Sequence, residues 1–219
     1  MERHFDEQLQ ALKYQLMKMS ALAESMIGDA VKALVERDES VFQIILQRET
    51  QVNRLQIEID EMCLTLIALH QPAAGDLRFI MGAAKTNADL ERLADQAVNI
   101  SDKAADLVKQ PPLRPFVIIP EMATIARGMV RDSLHAFVNR DVNKARDVLV
   151  RDDQLDERKS RITVELSEFM AKESSTVSRA LALILISRNL ERIGDHATNI
   201  AENTIFVVEG RDIRHHGGH

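Results

Sequence analysis

Two segments of this chain, 100 residues apart, repeat the same order of charged and apolar residues. Residues 90–100 read LERLADQAVNI, and residues 190–200 read LERIGDHATNI. Leucine, glutamate, arginine, aspartate, alanine, asparagine and isoleucine recur in register. Such a repeat indicates an internal duplication, so the chain is predicted to fold as two similar modules of about 100 residues each.

The composition favours helices in both modules. Glycine (8), proline (5) and aromatic residues (4%) are scarce, whereas sheets usually need turn residues and aromatic or β-branched strands. Apolar residues recur at spacings of three and four, which is the helical period. Asp38 and Asp141 are predicted N-caps, and Pro120 is predicted to open the fourth helix. The predicted helices span approximately residues 5–37, 38–70, 75–109, 120–140, 141–172 and 174–208.

Three prolines between residues 111 and 115 cannot lie inside a helix and indicate a linker. The predicted fold class is therefore all-α, with two tandem three-helix bundles related by internal duplication. The early helices of the two repeats align 103 residues apart, which predicts a shorter connection between the fifth and sixth helices. The predicted units are a first bundle over 1–110, a proline-rich linker over 111–120, a second bundle over 121–210 and a flexible tail over 211–219.

The net charge of −6 and the single cysteine narrow the possible functions. An acidic chain has no basic footprint for nucleic acid. One cysteine, Cys63, allows no disulfide within the chain, which fits a reducing compartment. The N-terminal segment lacks a signal-peptide core, and the longest apolar run, residues 180–186, falls far short of the roughly 20 residues that span a bilayer. We therefore expect a cytoplasmic protein without membrane insertion.

Acidic residues recur four positions apart on the predicted helices. Like charges at this spacing repel by about 0.2–0.5 kcal/mol, so an overlying cation would be favourable. At about 100° per residue, the acidic pair of the sixth helix faces outward, which places any site at the surface. Carboxylate oxygens suit Mg²⁺, Mn²⁺, Ca²⁺ and oxidised iron. The candidate metal ligands are Glu49, Asn53, Glu91 and Asp95 in the first repeat, and Asp152, Asp156, Glu191 and Asp195 in the second.

The alternative is a solvated acidic face stabilised by ion pairs between residues three apart, Arg188 with Glu191 and Arg192 with Asp195. A nitrogen ligand from His196 would require a local rotation of the helix. A di-iron oxidase is not predicted, because that centre needs Glu-x-x-His motifs facing the bundle interior, and neither repeat has one.

Several motifs match one known family: VN at 52–53, IDE at 59–61, QPAAGDLR at 71–78, and the segments ERLAD and ERIGD. The chain resembles the PhoU family over essentially its whole length. The resemblance implies tandem three-helix bundles with multinuclear metal clusters of iron or zinc, with manganese or magnesium as alternatives. It also implies a non-enzymatic role, in which the protein restrains phosphate uptake and represses the phosphate-starvation response.

The partners that the resemblance implies are the ATP-binding subunit of a phosphate ABC transporter, a sensor histidine kinase and a second copy in a homodimer. Recruitment to the inner membrane face would occur through these partners. Asn53 stands where the motif asks for a carboxylate, so the first site is expected to be weaker. Ala94 replaces Gly194 with no expected consequence. The first competing function is a helical scaffold or chaperone-like module. The second is a metal hydrolase, for which no residue stands out as the general base.

Overall fold

The structure is a computed structural model that describes residues 2–113 and 117–211, with side chains described from residue 4 onward. No strand occurs in these ranges, so the predicted all-α class is confirmed. Among the described residues, no helix has the length and apolarity needed to cross a bilayer. The helices are α1 (Glu2–Glu36), α2 (Ser40–His70), α3 (Ala74–Val108), α4 (Ile118–Asn139), α5 (Val142–Lys172) and α6 (Val177–Glu209), with a 3₁₀ turn at Ser174–Thr176.

Most helix ends lie close to their predicted positions, because local chemistry sets them. Asp141 caps α5, where its carboxylate accepts a hydrogen bond from the backbone N–H of Lys144 at 3.0 Å. At the end of α2, Gln71 adopts a left-handed conformation with φ of 45°, and its N–H bonds back to the carbonyl of Ile67. Pro72 follows and cannot continue the helix.

Two predicted helix starts are wrong by one or two residues. The fourth helix begins at Ile118 and not at Pro120, because Ile118 and Ile119 are buried and a proline is tolerated anywhere in a first turn. The N-cap of α2 is Glu39 and not Asp38. The carboxylate of Asp38 instead accepts hydrogen bonds from the N–H (2.9 Å) and hydroxyl (2.7 Å) of Ser40.

The connection before the sixth helix is shorter than its counterpart, as predicted. Only Glu173 separates α5 from the 3₁₀ turn at Ser174–Thr176 that leads into α6, whereas residues 71–73 connect α2 to α3. The sixth helical segment thus begins with a turn of the tighter 3₁₀ form. The hydroxyl of Thr176 donates to the carbonyl of Glu173 at 2.6 Å and holds this turn.

Each repeat forms a three-helix bundle, since α1, α2 and α3 pack on one another and so do α4, α5 and α6. The two bundles also pack together, through α3 against α6 and α1 against α4. Buried side chains from all six helices form one continuous hydrophobic cluster. The helices α1, α3, α4 and α6 therefore make up the middle of the molecule, and α2 and α5 lie at its edges.

The contact between α3 and α6 is close and antiparallel. Asn203 on α6 donates from Nδ2 to the carbonyl of Gly82 on α3 at 2.8 Å, and Arg78 donates from Nε to the carbonyl of Val207 at 3.2 Å. Gly82 is required for this approach, because a Cβ at that position would lie only 2.6 Å from Cγ2 of Val207. Side-chain hydrogen bonds to the backbone and the close approach at Gly82 thus hold the two bundles together.

The two repeats differ most in their first helices. α1 has 35 residues and α4 has 22. At the 103-residue spacing, the first residue of α4, Ile118, corresponds to Gln15. The part of α1 that precedes Gln15 has no helical counterpart, because the proline-rich linker stands before α4 instead.

Candidate metal centre

The second candidate site lies where α5 faces α6. Asp152 and Glu191 are partly buried, whereas Asp156 is exposed. Burial raises the pKa of Asp152 to about 6, and the charges of Asp195, Asp156, Asp153 and Glu191 push it in the same direction. The predicted carboxylates of the second repeat are therefore brought together, and they repel one another across the two helices.

Asp195 experiences the same field from the other helix. Its side chain reaches the surface, yet its carboxyl is partly desolvated, and this raises its pKa. Glu191 and Asp156 raise the pKa further, while His196 and Lys159 oppose the shift. A cation between the helices would relieve this repulsion, because it favours the ionised form of each carboxyl.

Gly194 sets the spacing of the two helices at this site. A Cβ there would lie 2.6 Å from Cδ2 of Leu155 and 3.2 Å from Oδ1 of Asp152. Without a Cβ at this position, α5 approaches α6 closely enough to bring Asp152 beside the carboxylates of α6.

A lysine already supplies part of the positive charge. Nζ of Lys159 on α5 lies 3.4 Å from Oε1 of Glu191, and both side chains are partly buried. The solvated-face alternative requires ion pairs of Glu191 with Arg188 and of Asp195 with Arg192. Neither pair forms within the described residues. Spacing along the sequence could not reveal this pair, because the two residues lie on different helices.

The first candidate site is less tightly assembled. Glu91 and Asp95 lie one turn apart on α3, and burial followed by the charge of Asp95 raises the pKa of Glu91. Arg92 and His196 act against this shift. The charged groups that shift the pKa of Glu91 thus lie on α3 and α6. Glu49, which is partly buried on α2, is not among them. Asn53 is exposed and offers a neutral amide.

The donor chemistry of the second site fits a hard cation, since it offers four carboxylates from two adjacent helices. The first site offers three carboxylates and one amide oxygen. As the side chains stand, no three His, Cys, Asp or Glu residues within the described ranges are arranged to hold a metal ion. Metal binding would therefore require rotation of these side chains.

Two arginines beside the candidate ligands were missed by the sequence reasoning. Arg48 precedes Glu49 and pairs with Asp29 on α1, whereas Arg151 precedes Asp152. Nη2 of Arg151 lies 2.8 Å from Oδ2 of Asp132 on α4, which is the counterpart of Asp29. The recurrence of these ion pairs 103 residues apart, Asp29 with Arg48 and Asp132 with Arg151, is the signal that could have revealed them.

A histidine–aspartate pair crosses between the repeats. Nδ1 of His196 on α6 lies 3.0 Å from Oδ1 of Asp89 on α3, and these side chains are 16% and 14% exposed. Asn199 donates to the same oxygen at 3.4 Å. His196 therefore faces the first repeat and not the carboxylates of the second. No sequence pattern links residues so far apart.

The PhoU domain model matches the chain twice, over residues 16–104 and 119–204. The chain belongs to the PhoU family. Each match covers one three-helix bundle, and the ERLAD and ERIGD segments lie near the same point of both matches. The resemblance first suggested by these motifs is confirmed.

Named members of the family are similar over nearly the whole chain. The phosphate-specific transport system accessory protein PhoU homolog of Pseudomonas putida is 37% identical over 216 residues, which cover 98% of this chain and 84% of that protein. The homolog of Aquifex aeolicus is 36% identical, with 95% of each chain covered. The crystal structure of PhoU from Pseudomonas aeruginosa superimposes with a TM-score of 0.90 at 35% identity, covering 94% of this chain and 100% of that one.

Proposed function

We propose that this chain is an accessory regulator of phosphate transport that restrains phosphate uptake and represses the phosphate-starvation response. The observation that supports this role is the double PhoU domain, together with similarity along nearly the whole chain to proteins named as phosphate-specific transport accessory proteins. The role is regulatory and not catalytic.

Metal ions at the paired acidic motifs are part of the proposal. Iron or zinc is the first choice, and manganese or magnesium also suits oxygen donors. A bound cation would offset the repulsion that raises the pKa of Asp152 and hold α5 against α6. The residues that would hold metal are Asp152, Asp156, Glu191 and Asp195 in the second site, and Glu49, Asn53, Glu91 and Asp95 in the weaker first site.

The proposed partners are the ATP-binding subunit of a phosphate ABC transporter and a sensor histidine kinase, with a homodimer as the assembly of the protein itself. Each stable docking contact would bury roughly 800 Å² per partner. The protein would act in the cytoplasm and reach the inner face of the membrane through these partners. The names of its relatives support a transporter as one partner.

The test is an Asp195→Asn variant compared with an Asp153→Asn control. Both remove one negative charge, but only Asp195 is a proposed ligand. Elemental analysis would use chains ending at residue 211, which lack the metal-binding side chains of His215, His216 and His219. It should show less metal in Asp195→Asn and unchanged metal in the control. A phosphate-starvation reporter should be derepressed by the same variant alone.

The two readouts separate the parts of this proposal. Loss of metal with normal repression would refute the coupling between metal and regulation. A metal-free wild-type protein that still represses the reporter would restrict the role to the family function alone. Wild-type protein that neither holds metal nor affects the reporter would favour the helical scaffold.

A further inference from the structure

A cavity lies at the junction of the two repeats, where the short α4 begins. Its volume is about 620 Å³, within the roughly 300–1,000 Å³ typical of small-molecule sites. It is lined by the linker prolines Pro111 and Pro112, by Leu107 at the end of α3 and by Leu183 of α6. In the first repeat, the part of α3 near Phe79 corresponds to this part of α6. It is covered by the early part of α1, where Lys13 lies over the Phe79 ring.

The cavity wall is apolar and has few free polar groups. Prolines have no N–H to leave unpaired. The carbonyl of Pro111 accepts a hydrogen bond from Nη1 of Arg179 at 2.9 Å, and the carbonyl of Gln110 accepts one from Nη2 of Arg37 at 2.7 Å. Val35 and Val117 line the cavity yet are 58% and 65% exposed, so an apolar ligand would cover surface that water now contacts.

Both charged side chains that line the cavity are arginines, Arg37 and Arg179. Their bonds to backbone carbonyls fix each guanidinium in place, and each bond uses only part of its five N–H donors. Arg37 bonds the carbonyls of Val108 and Gln110, and Arg179 those of Pro111 and Ser175. The remaining donors suit a carboxylate, with which arginine forms strong charge-assisted bonds.

We propose that this cavity binds a free fatty-acid anion, with its chain against the apolar wall and its carboxylate at Arg37 and Arg179. The site is independent of the acidic motifs and of the proposed role in phosphate transport. It would give the protein a second ligand, of lipid chemistry, where the linker joins its repeats.

The test is titration of the full-length chain with dodecanoate, below its micelle concentration, and with uncharged dodecan-1-ol. The wild type should bind one dodecanoate per chain, and the alcohol about tenfold more weakly. An Arg37→Gln/Arg179→Gln variant should lose this preference while still binding the alcohol. The matched control, Arg54→Gln/Arg161→Gln, removes two arginines from exposed helix-surface ion pairs and should bind as the wild type does.

A Leu183→Trp variant should bind both ligands more weakly, because the larger indole takes up part of the cavity. The proposal is overturned if wild-type protein shows no saturable binding, or if binding persists unchanged in Leu183→Trp and in the arginine variant. Binding to phosphatidylglycerol vesicles without binding of monomeric dodecanoate would exclude it as well.

Discussion

Glu24 and Arg127 occupy equivalent positions of the two repeats and contact each other, with Nη2 of Arg127 3.4 Å from Oε1 of Glu24. The 103-residue spacing relates the two positions, so the pseudo-two-fold axis of the molecule passes between α1 and α4 at this point. Two identical repeats would place the same residue against itself there. Opposite charges make the contact attractive, by at most about 1 kcal/mol for a partly exposed pair.

We expect Gly28→Ala to leave stability nearly unchanged. A Cβ at Gly28 would lie 2.9 Å from the guanidinium of Arg127, which is the free end of a flexible side chain and can move. The helix gains about 1 kcal/mol from alanine, and the displaced ion pair with Glu24 loses a similar amount or less. Urea unfolding should show a change within about 1 kcal/mol, and a loss of several kcal/mol would contradict this account.

Gly82→Ala should destabilise the protein by about 1–3 kcal/mol, despite the same gain in helix propensity. Its Cβ would lie 2.6 Å from Cγ2 of Val207 and 3.1 Å from the ring of Phe137, both in the packed contact between the bundles. The same urea titration, with Gly28→Ala as the matched control, checks this. Equal stabilities of the two variants would show that α3 and α6 separate easily.

The pKa of Asp152 predicts how the metal-free protein responds to pH. A carboxyl whose pKa is raised from 3.8 to about 6 binds its proton more tightly when folded. Its contribution to stability is therefore fully present below about pH 4 and is lost as the pH rises through about 6. We expect Asp152→Asn to be more stable than the wild type at neutral pH by about 1 kcal/mol, after allowing for solvent screening.

Unfolding of both proteins in chelator, at acidic and neutral pH, measures this difference. The gap between Asp152→Asn and wild type should open only at the higher pH. Asp153→Asn, which changes an exposed neighbour, should show a smaller gap. A gap that is independent of pH would mean that the amide acts by packing and not by charge.

Cys63 should be inert in the folded protein. Burial raises the pKa of its thiol to about 12, and the charge of Asp60 adds to the shift, so the reactive thiolate is scarce at neutral pH. A disulfide reagent should modify it only after denaturation. Leu64→Cys in a Cys63→Ala background is the control, because Leu64 is 68% exposed and a thiol there should react at once.

Exchanging the unmatched ligand should transfer metal affinity between the repeats, if the acidic motifs bind metal. Asn53→Asp gives the first site a fourth carboxylate, and Asp156→Asn makes the second site resemble the first. Metal per chain, measured by elemental analysis, should rise in the first variant and fall in the second.

The sequence predicted the helices because their ends depend on residues close in the chain. Asp141 caps the helix that it precedes, and Pro72 follows the end of α2. Periodicity also predicted that the acidic pair of α6 faces outward. Asp195 is exposed, whereas Glu191 is partly buried beside Lys159 of α5. Pro120 misled the prediction, because burial of Ile118 and Ile119 extended the helix by a further two residues.

The arrangement of the bundles could not be predicted, because it depends on side chains more than a hundred residues apart. His196 reaches Asp89 only because α3 and α6 are antiparallel. The role of Gly194 also depends on a neighbouring helix, because a side chain at this position would meet the side chains of Leu155 and Asp152 on α5. An alignment of the two repeats shows which positions are equivalent, but it carries no information on how the two bundles pack against each other.

The shared core has a consequence for a chain cut in the linker. Because α3 packs on α6 and α1 on α4, the halves on either side of residues 114–116 present matching buried faces to each other. Severed halves should therefore reassemble as a heterodimer. The linker mainly acts as a tether, which holds the two faces at an effective concentration of about millimolar and makes their association independent of protein concentration.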